Sequence, residues 1–245
     1  MKTKFNHLKQ ILLCCLVVIS FVSCRYSIDL DGVKGNGNIT TEKRTVEEKF
    51  EKIQVSTGIE VIVSQNDVVS ISVETDENIQ SLITTNVENG VLVIGTNEMY
   101  NTEKSPIVRV SLPIITGLKA SSGSTVSSQS VLKSALLNID ASSGSEFTLD
   151  VEADSISLES SSGSEITVSG KALKVETASS SGSEINAGEL LANEIFSQTS
   201  SGSSTAVYPI LSLKAKASSG SQIKYKNIPK NLEKAESSGG SITQN

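Results

Sequence analysis

The sequence predicts an all-β chain wound as a right-handed parallel β-helix, a single-stranded β-solenoid with about 19 residues per coil. Three observations predict it. Ser-Ser-Gly recurs seven times through the second half of the chain at nearly constant spacing. Apolar residues recur at fixed offsets from each glycine. The positions between them are polar, which is the period-two alternation of strands with one buried face.

The recurring glycines are Gly123, Gly144, Gly163, Gly182, Gly202, Gly220 and Gly239, separated by 21, 19, 19, 20, 18 and 19 residues. Such a period means one structural unit stacked on itself. Three residues after glycine stand Val126, Phe147, Ile166, Ile185, Thr205, Ile223 and Ile242. Seven residues before it stand Thr116, Leu137, Ile156, Val175, Ile195, Leu213 and Leu232. Each repeat therefore reads as a strand, a corner at the glycine and a second strand. A looser third segment returns to the next copy and offers it apolar residues such as Leu173, Leu191, Leu211 and Ile228. Nineteen residues at roughly 3.3 Å each give a perimeter near 60 Å, and coils about 4.8 Å apart give a core roughly 35 Å long. Handedness follows from the strong preference of parallel crossovers for the right hand. The six-residue repeat usual in left-handed β-helices is absent.

At each corner glycine can take φ > 0 without a Cβ clash. The serines are small, and their hydroxyls can bond to backbone or to the serine of the next coil as a structural ladder. A column of acids, Glu146, Glu165 and Glu184, follows two residues after glycine. Calcium favours clustered carboxylate oxygens, so this is the one column where a divalent cation would be sought. A solvated outer face explains it more simply, and no metal or other cofactor is expected beyond a lipid. No lysine recurs beside the serines, and the only histidine, His7, lies in the N-terminal segment, so nucleophilic serine chemistry has no base.

That N-terminal segment reads as a lipoprotein signal peptide over residues 1–23. Lys2, Lys4 and Lys9 form a basic region, Ile11 to Ile19 an apolar core, and Phe21-Val22-Ser23-Cys24 resembles a lipobox. Cleavage after Ser23 would leave Cys24 acylated as the only cysteine, since Cys14 and Cys15 would be removed. The remaining chain would carry 18 basic and 27 acidic residues, a balance of −9. Phosphate neutralisation of a nucleic acid is excluded on that balance, and attachment to a membrane falls to the lipid. Residues 24–36 read as a tether, with Asp29 and Asp31 in it.

The domain proper spans 37–245, with irregular β coils over 37–115 and regular repeats over 116–245. Strands are expected over Ile53–Val63, Val68–Glu74, Ile79–Glu88, Val91–Gly95 and Ile107–Leu112. Asn89-Gly90 marks a type I′ hairpin. The segment from Ile53 to Val63 aligns with that from Ile139 to Leu149, matching Gly58 to Gly144 and Val61 to Phe147. Gly58 is thus an eighth corner. The column five before glycine runs Leu118, Ile139, Leu158, Thr177, Ser197, Ala215 and Lys234, and the column three before it ends in Glu236. The shift from bulky to small to charged reads as a polar C-terminal cap.

Gly58-Ile59-Glu60, then Val61-Ile62-Val63-Ser64-Gln65, alternating strands with Glu74 and a hairpin ending in Leu92-Val93-Ile94 resemble the head-GIN domain family, described as "putative autotransporter adhesins". The likeness covers roughly Ile39 to Asn245, with Glu60 where the family's Gly-Ile-Asn has its Asn. It implies a β-helical envelope protein and carries over no catalytic residue. The expected function is a non-enzymatic lipoprotein on the outer membrane of a Gram-negative envelope, displaying the rod for adhesion to a protein or glycan. The alternative is a periplasm-facing scaffold or stress-sensing module; a polysaccharide-acting enzyme on a β-helix is the third reading. Ligand, leaflet and oligomeric state stay open.

Overall fold

A computed structural model describes residues 32–245; the segment read as a signal peptide and Cys24 lie outside the described residues. The first strands are short. β1 (Val33–Lys34) precedes β2 (Ile39–Arg44), β3 (Lys52–Val55), β4 (Glu60–Gln65) and β5 (Ser70–Asp76). Then come β6 (Ile83–Glu88), β7 (Val91–Thr96), β8 (Tyr100–Asn101) and β9 (Ile107–Leu112). The repeats contribute β10 (Gly117–Ala120), β11 (Thr125–Ser128), β12 (Leu132–Ala141), β13 (Glu146–Ser160), β14 (Glu165–Ser179), β15 (Glu184–Thr199) and β16 (Ser204–Ala217). The last coil adds β17 (Gln222–Tyr225), β18 (Asn231–Glu236) and β19 (Ser241–Gln244).

From β10 onward every pairing is parallel and joins a residue to its counterpart one repeat away. Phe147 pairs with Val126 and Ile166, and Ile166 with Ile185. This is a β-solenoid. Its core is the stack of inward columns: Val126, Phe147, Ile166, Ile185 and Ile223 on one wall, Leu137, Ile156, Val175, Ile195 and Leu213 on another, all buried.

The stack does not follow chain order at its N-terminal end. β3 and β4 pair in parallel with β10 and β11 on one side, and with β7 and β9 on the other. The Gly58 coil is therefore an inner coil, in register with the Gly123 coil: Leu118 opposes Ile53, and Thr125 opposes Glu60. After β1 and β2 the chain winds this coil, completes the end of the rod with β5 to β9, then returns to wind the rest. That end is antiparallel, with β6 closing on β7 and β5 lying between β9 and β2. Asn89 and Gly90 both have positive φ, 52° and 78°, and join β6 to β7 as a two-residue hairpin.

Three expectations need correction. The strand expected from Ile79 begins at Ile83. Ile79 and Gln80 instead sit in a turn whose N–H groups donate to the Asp76 carbonyl at 2.9 and 3.1 Å, and both side chains are buried. Val68 and Val69 are exposed and precede β5. Most informative is the third segment of each coil. Leu173, Leu191, Leu211 and Ile228 point outward, 55%, 44%, 36% and 63% exposed, and do not enter the core. The buried residues there are Leu132, Val151, Leu190 and the alanines Ala153, Ala172 and Ala192. Two consecutive side chains, such as Leu173 and Lys174, face solvent between buried Ala172 and Val175. The chain turns a corner at that pair, which resets the alternation.

The described end of the expected tether is fastened to the body. β1 pairs with β8, the Asn36 N–H donates to Asn78 Oδ1 at 3.0 Å, and the Gly37 N–H donates to buried Asp76.

Candidate functional site

The serine-glycine corners form the most regular surface of the rod, and their backbone explains the motif. In the second copy Ser143 has φ 52° and Gly144 φ 71°, and the Ser145 N–H closes on the Ser142 carbonyl at 3.2 Å. Both central residues are left-handed, as in a type I′ turn, with Ser-Gly standing where Asn-Gly is usual. The other copies repeat it. Ser122, Ser162, Ser181, Ser201, Ser219 and Ser238 have φ between 47° and 58°, and their glycines lie between 70° and 77°. Thr57 and Gly58 do the same at 68° and 70°. The sequence reading assigned the left-handed conformation to glycine alone; the two-residue I′ signature would have revealed the serine as well. Such φ values are strained for a non-glycine residue. A ladder holds them: the N–H of Gly144 donates to the carbonyl of Ser162, and that of Gly163 to Ser181, at 3.1 and 3.2 Å.

The serine after glycine faces inward. Ser145, Ser164, Ser183 and Ser221 are buried. Their hydroxyls accept from the N–H of Ser142, Ser161, Ser180 and Ser218 at 3.0–3.2 Å. They donate to carbonyls of the preceding coil, at Ala120, Ala141, Ser160 and Thr199, at 2.7–2.9 Å. The ladder is thus mainly hydroxyl to backbone, and it ties these hydroxyls into structural bonds. Deeper hydroxyls pair with each other: Thr177 donates to Ser197 at 2.8 Å, and Thr205 contacts both Ser179 and Thr199 at 2.9 Å. Thr177 and Ser197, the small polar members of the column five before glycine, are therefore buried partners in mid-rod.

Closure occurs only at the last coil. Glu236 Oε1 accepts from the Ile242 N–H at 2.6 Å, and Lys234 Nζ donates to the Ile242 carbonyl at 3.0 Å. Every residue of β18 is exposed. Lys234 also lies 4.6 Å from the centre of the Tyr225 ring.

Beside the corners runs a groove of about 560 Å³, reaching from Asp140 to Ser237 across successive coils. Asp140, Glu159, Gln198 and Lys216 line one side, and serines such as Ser161 and Ser180 the other. It offers carboxylate, amide, ammonium and hydroxyl groups in a line, which suits hydrogen bonding to an extended polar ligand. A second groove of about 700 Å³ follows the third corner, with Lys133, Glu152, Lys171, Leu173 and Leu191 in its walls. There Lys171 and Lys133 stand 3.4 and 3.6 Å from Glu152. The hydrogen bond and charge of Lys171, with Lys133 adding, hold the Glu152 carboxyl below the usual glutamate range.

The Glu146, Glu165 and Glu184 backbones pair in register, and all three residues are exposed. Among the described residues no group of three or more His, Cys, Asp or Glu side chains is arranged to hold a metal ion.

Residues 49–229 match the family model described as "putative auto-transporter adhesin, head GIN domain". No curated protein matches the chain. Among solved structures, a "putative adhesin" from Bacteroides fragilis superposes with a TM-score of 0.81 at 18% identity, covering 87% of this chain and all of that one. A "putative lipid binding protein" from Parabacteroides distasonis gives 0.71 at 20% identity, over 87% of this chain and 99% of its own. A "putative adhesin" from Parabacteroides merdae gives 0.67 at 20%, over 87% and 98%. At these identities the likeness is one of fold.

Proposed function

The chain belongs to the head GIN domain family, and from that premise we propose that it is a non-enzymatic envelope lipoprotein, acylated on Cys24, that displays the solenoid for adhesion. The observation that carries this reading is the polar groove along the corners. Its serine wall, Ser161, Ser180, Ser200, Ser218 and Ser237, repeats coil by coil at about 4.8 Å, so it presents an extended molecule with a series of like hydroxyls. Many weak contacts in register suit retention of a polymer better than catalysis at one point. The innermost serine hydroxyls are engaged with carbonyls and support the walls. Seven residues lie between Cys24 and Gly32, a reach of at most roughly 27 Å from anchor to rod.

The test is fractionation with metabolic lipid labelling. The wild-type protein is expected in the membrane pellet with label incorporated, and Cys24→Ser in the soluble fraction without it. Equal membrane retention of both would remove the lipid anchor from the account.

A further inference from the structure

The rod is electrically two-ended. Residues 32–206 hold 11 basic and 23 acidic residues, whereas residues 207–245 hold six lysines and two glutamates. The sign changes column by column around the coil. Four residues before glycine, Lys119 is held by Asp140 at 2.7 Å, and the acids Asp140 and Glu159 give way through Ala178 and Gln198 to Lys216. Two residues after it, Glu146, Glu165 and Glu184 give way to Ser204 and Gln222, and Lys224 stands two positions further on. At the third corner Lys133 and Lys171 are held by Glu152 and Lys174 by Glu176, and Asp154 gives way to Lys230.

Three of the six lysines are already engaged. Lys214 pairs with Glu233 at 2.9 Å, Lys226 pairs with Glu189, and Lys234 closes the last coil. Lys216, Lys224 and Lys230 are exposed and have no acidic partner among the described residues. Lys216 lies 5.4 Å from the centre of the Phe196 ring. Glu159 and Lys216 are three coils apart, about 14 Å along the axis. That exceeds the Debye length of about 8 Å at physiological salt, as does the two-coil distance of about 10 Å from Glu184 to Gln222 and from Glu194 to Asn231, so the acidic shaft cancels the field of the C-terminal coils only in part.

We propose that these C-terminal coils bind an anionic polysaccharide through Lys216, Lys224 and Lys230. The three lysines stand on the strand before the corner, the strand after it and the third corner, so they project from different sides of the coil. A flexible anionic chain can reach all three by wrapping, which a flat bilayer cannot do. The acidic shaft repels the same polymer, so association is directed to one end. The proposal rests on reading the rod as an interaction module and is independent of acylation at Cys24.

Heparin serves as the sulfated-glycan probe, with phosphatidylglycerol vesicles alongside, against the Cys24→Ser protein in detergent-free buffer, so that no acyl chain can insert into the vesicles. Heparin binding is expected to weaken with salt. Lys216→Gln/Lys224→Gln/Lys230→Gln should lower its affinity about tenfold or more. Lys43→Gln/Lys49→Gln/Lys52→Gln removes equal charge from exposed positions near the other end and should leave it within about twofold. If the first triple variant does not fold, Lys224→Gln alone must still weaken binding. Absence of heparin binding, equal losses in both triple variants, or binding to vesicles alone overturns the proposal. None of these results bears on the Cys24 fractionation, so the two readings fail separately.

Discussion

Replacing Phe147 by alanine probes the stacked core at its largest side chain. Phe147 has no exposed surface and sits in register between Val126 and Ile166. A buried aromatic hides about 150–250 Å², which at about 25 cal/mol per Å² amounts to about 4–6 kcal/mol, less the methyl that alanine keeps. β13 is paired in parallel to a strand on both sides at this rung, so neighbouring coils cannot close on the void. The expected loss is about 3–5 kcal/mol. Urea denaturation followed by far-UV circular dichroism measures it, since the chain has no tryptophan. Thr148→Ala, on the exposed side of the same strand, is the control and should change stability by no more than about 0.5 kcal/mol. A loss below about 1 kcal/mol for Phe147→Ala would refute the continuous column.

The remaining predictions concern the backbone, the last coil and one carboxylate. Gly170→Ala should destabilise by about 3 kcal/mol or more, because φ is 115° and a Cβ would meet the Val151 carbonyl oxygen at 2.0 Å. Gly163→Ala has open space around its Cβ and should cost only about 1 kcal/mol, so melting temperatures in the reverse order would contradict the geometry. Lys234→Ala/Glu236→Ala frees the Ile242 N–H and carbonyl, and should promote association of two C-terminal ends into a closed dimer visible by sedimentation velocity. A variant that stays monomeric at all concentrations would show that these side chains do not guard the edge. The Glu152 carboxyl should titrate below an ordinary glutamate by NMR and return toward it in Lys171→Ala. Its folded value is depressed, so its stabilisation is present above the unfolded pKa and lost as the pH falls through the folded one. Unshifted titration in the wild type would remove the Lys171 interaction from the account.

The solenoid was legible because a stacked fold writes the same constraint once per coil. Val126, Phe147 and Ile166 keep one offset from glycine, and Gly58 could be aligned with Gly144 although its coil lies among irregular strands. What was not legible arose where the period breaks or a residue acts through its neighbours. Leu173 and Leu191 look like core residues by composition; Leu173 is exposed because the third corner turns on two adjacent outward side chains, which alternation cannot anticipate, whereas Leu191 takes the outward place between buried Leu190 and Ala192. Gly170 lacks the serine motif and gives no sign that the backbone of Val151 presses on it. Thr177 and Ser197 suggested a fading core, yet each is the other's hydrogen-bond partner one coil away. The antiparallel end was half visible: Asn89-Gly90 announced the hairpin, but nothing local to β5 says that it runs against β9. For the groove beside the corners, the serines were evident, whereas its walls needed the register that brings Asp140, Glu159, Gln198 and Lys216 into one row.

Display of the rod at the cell surface is tested most directly by thiol labelling. Thr148→Cys places a thiol at an exposed position in mid-rod, and the proposed acylation would leave Cys24 unreactive. Intact cells are treated with a maleimide that does not cross the outer membrane. Labelling of intact cells equal to that of permeabilised cells is the predicted result. Labelling only after permeabilisation would contradict surface display and turn the rod toward the periplasm.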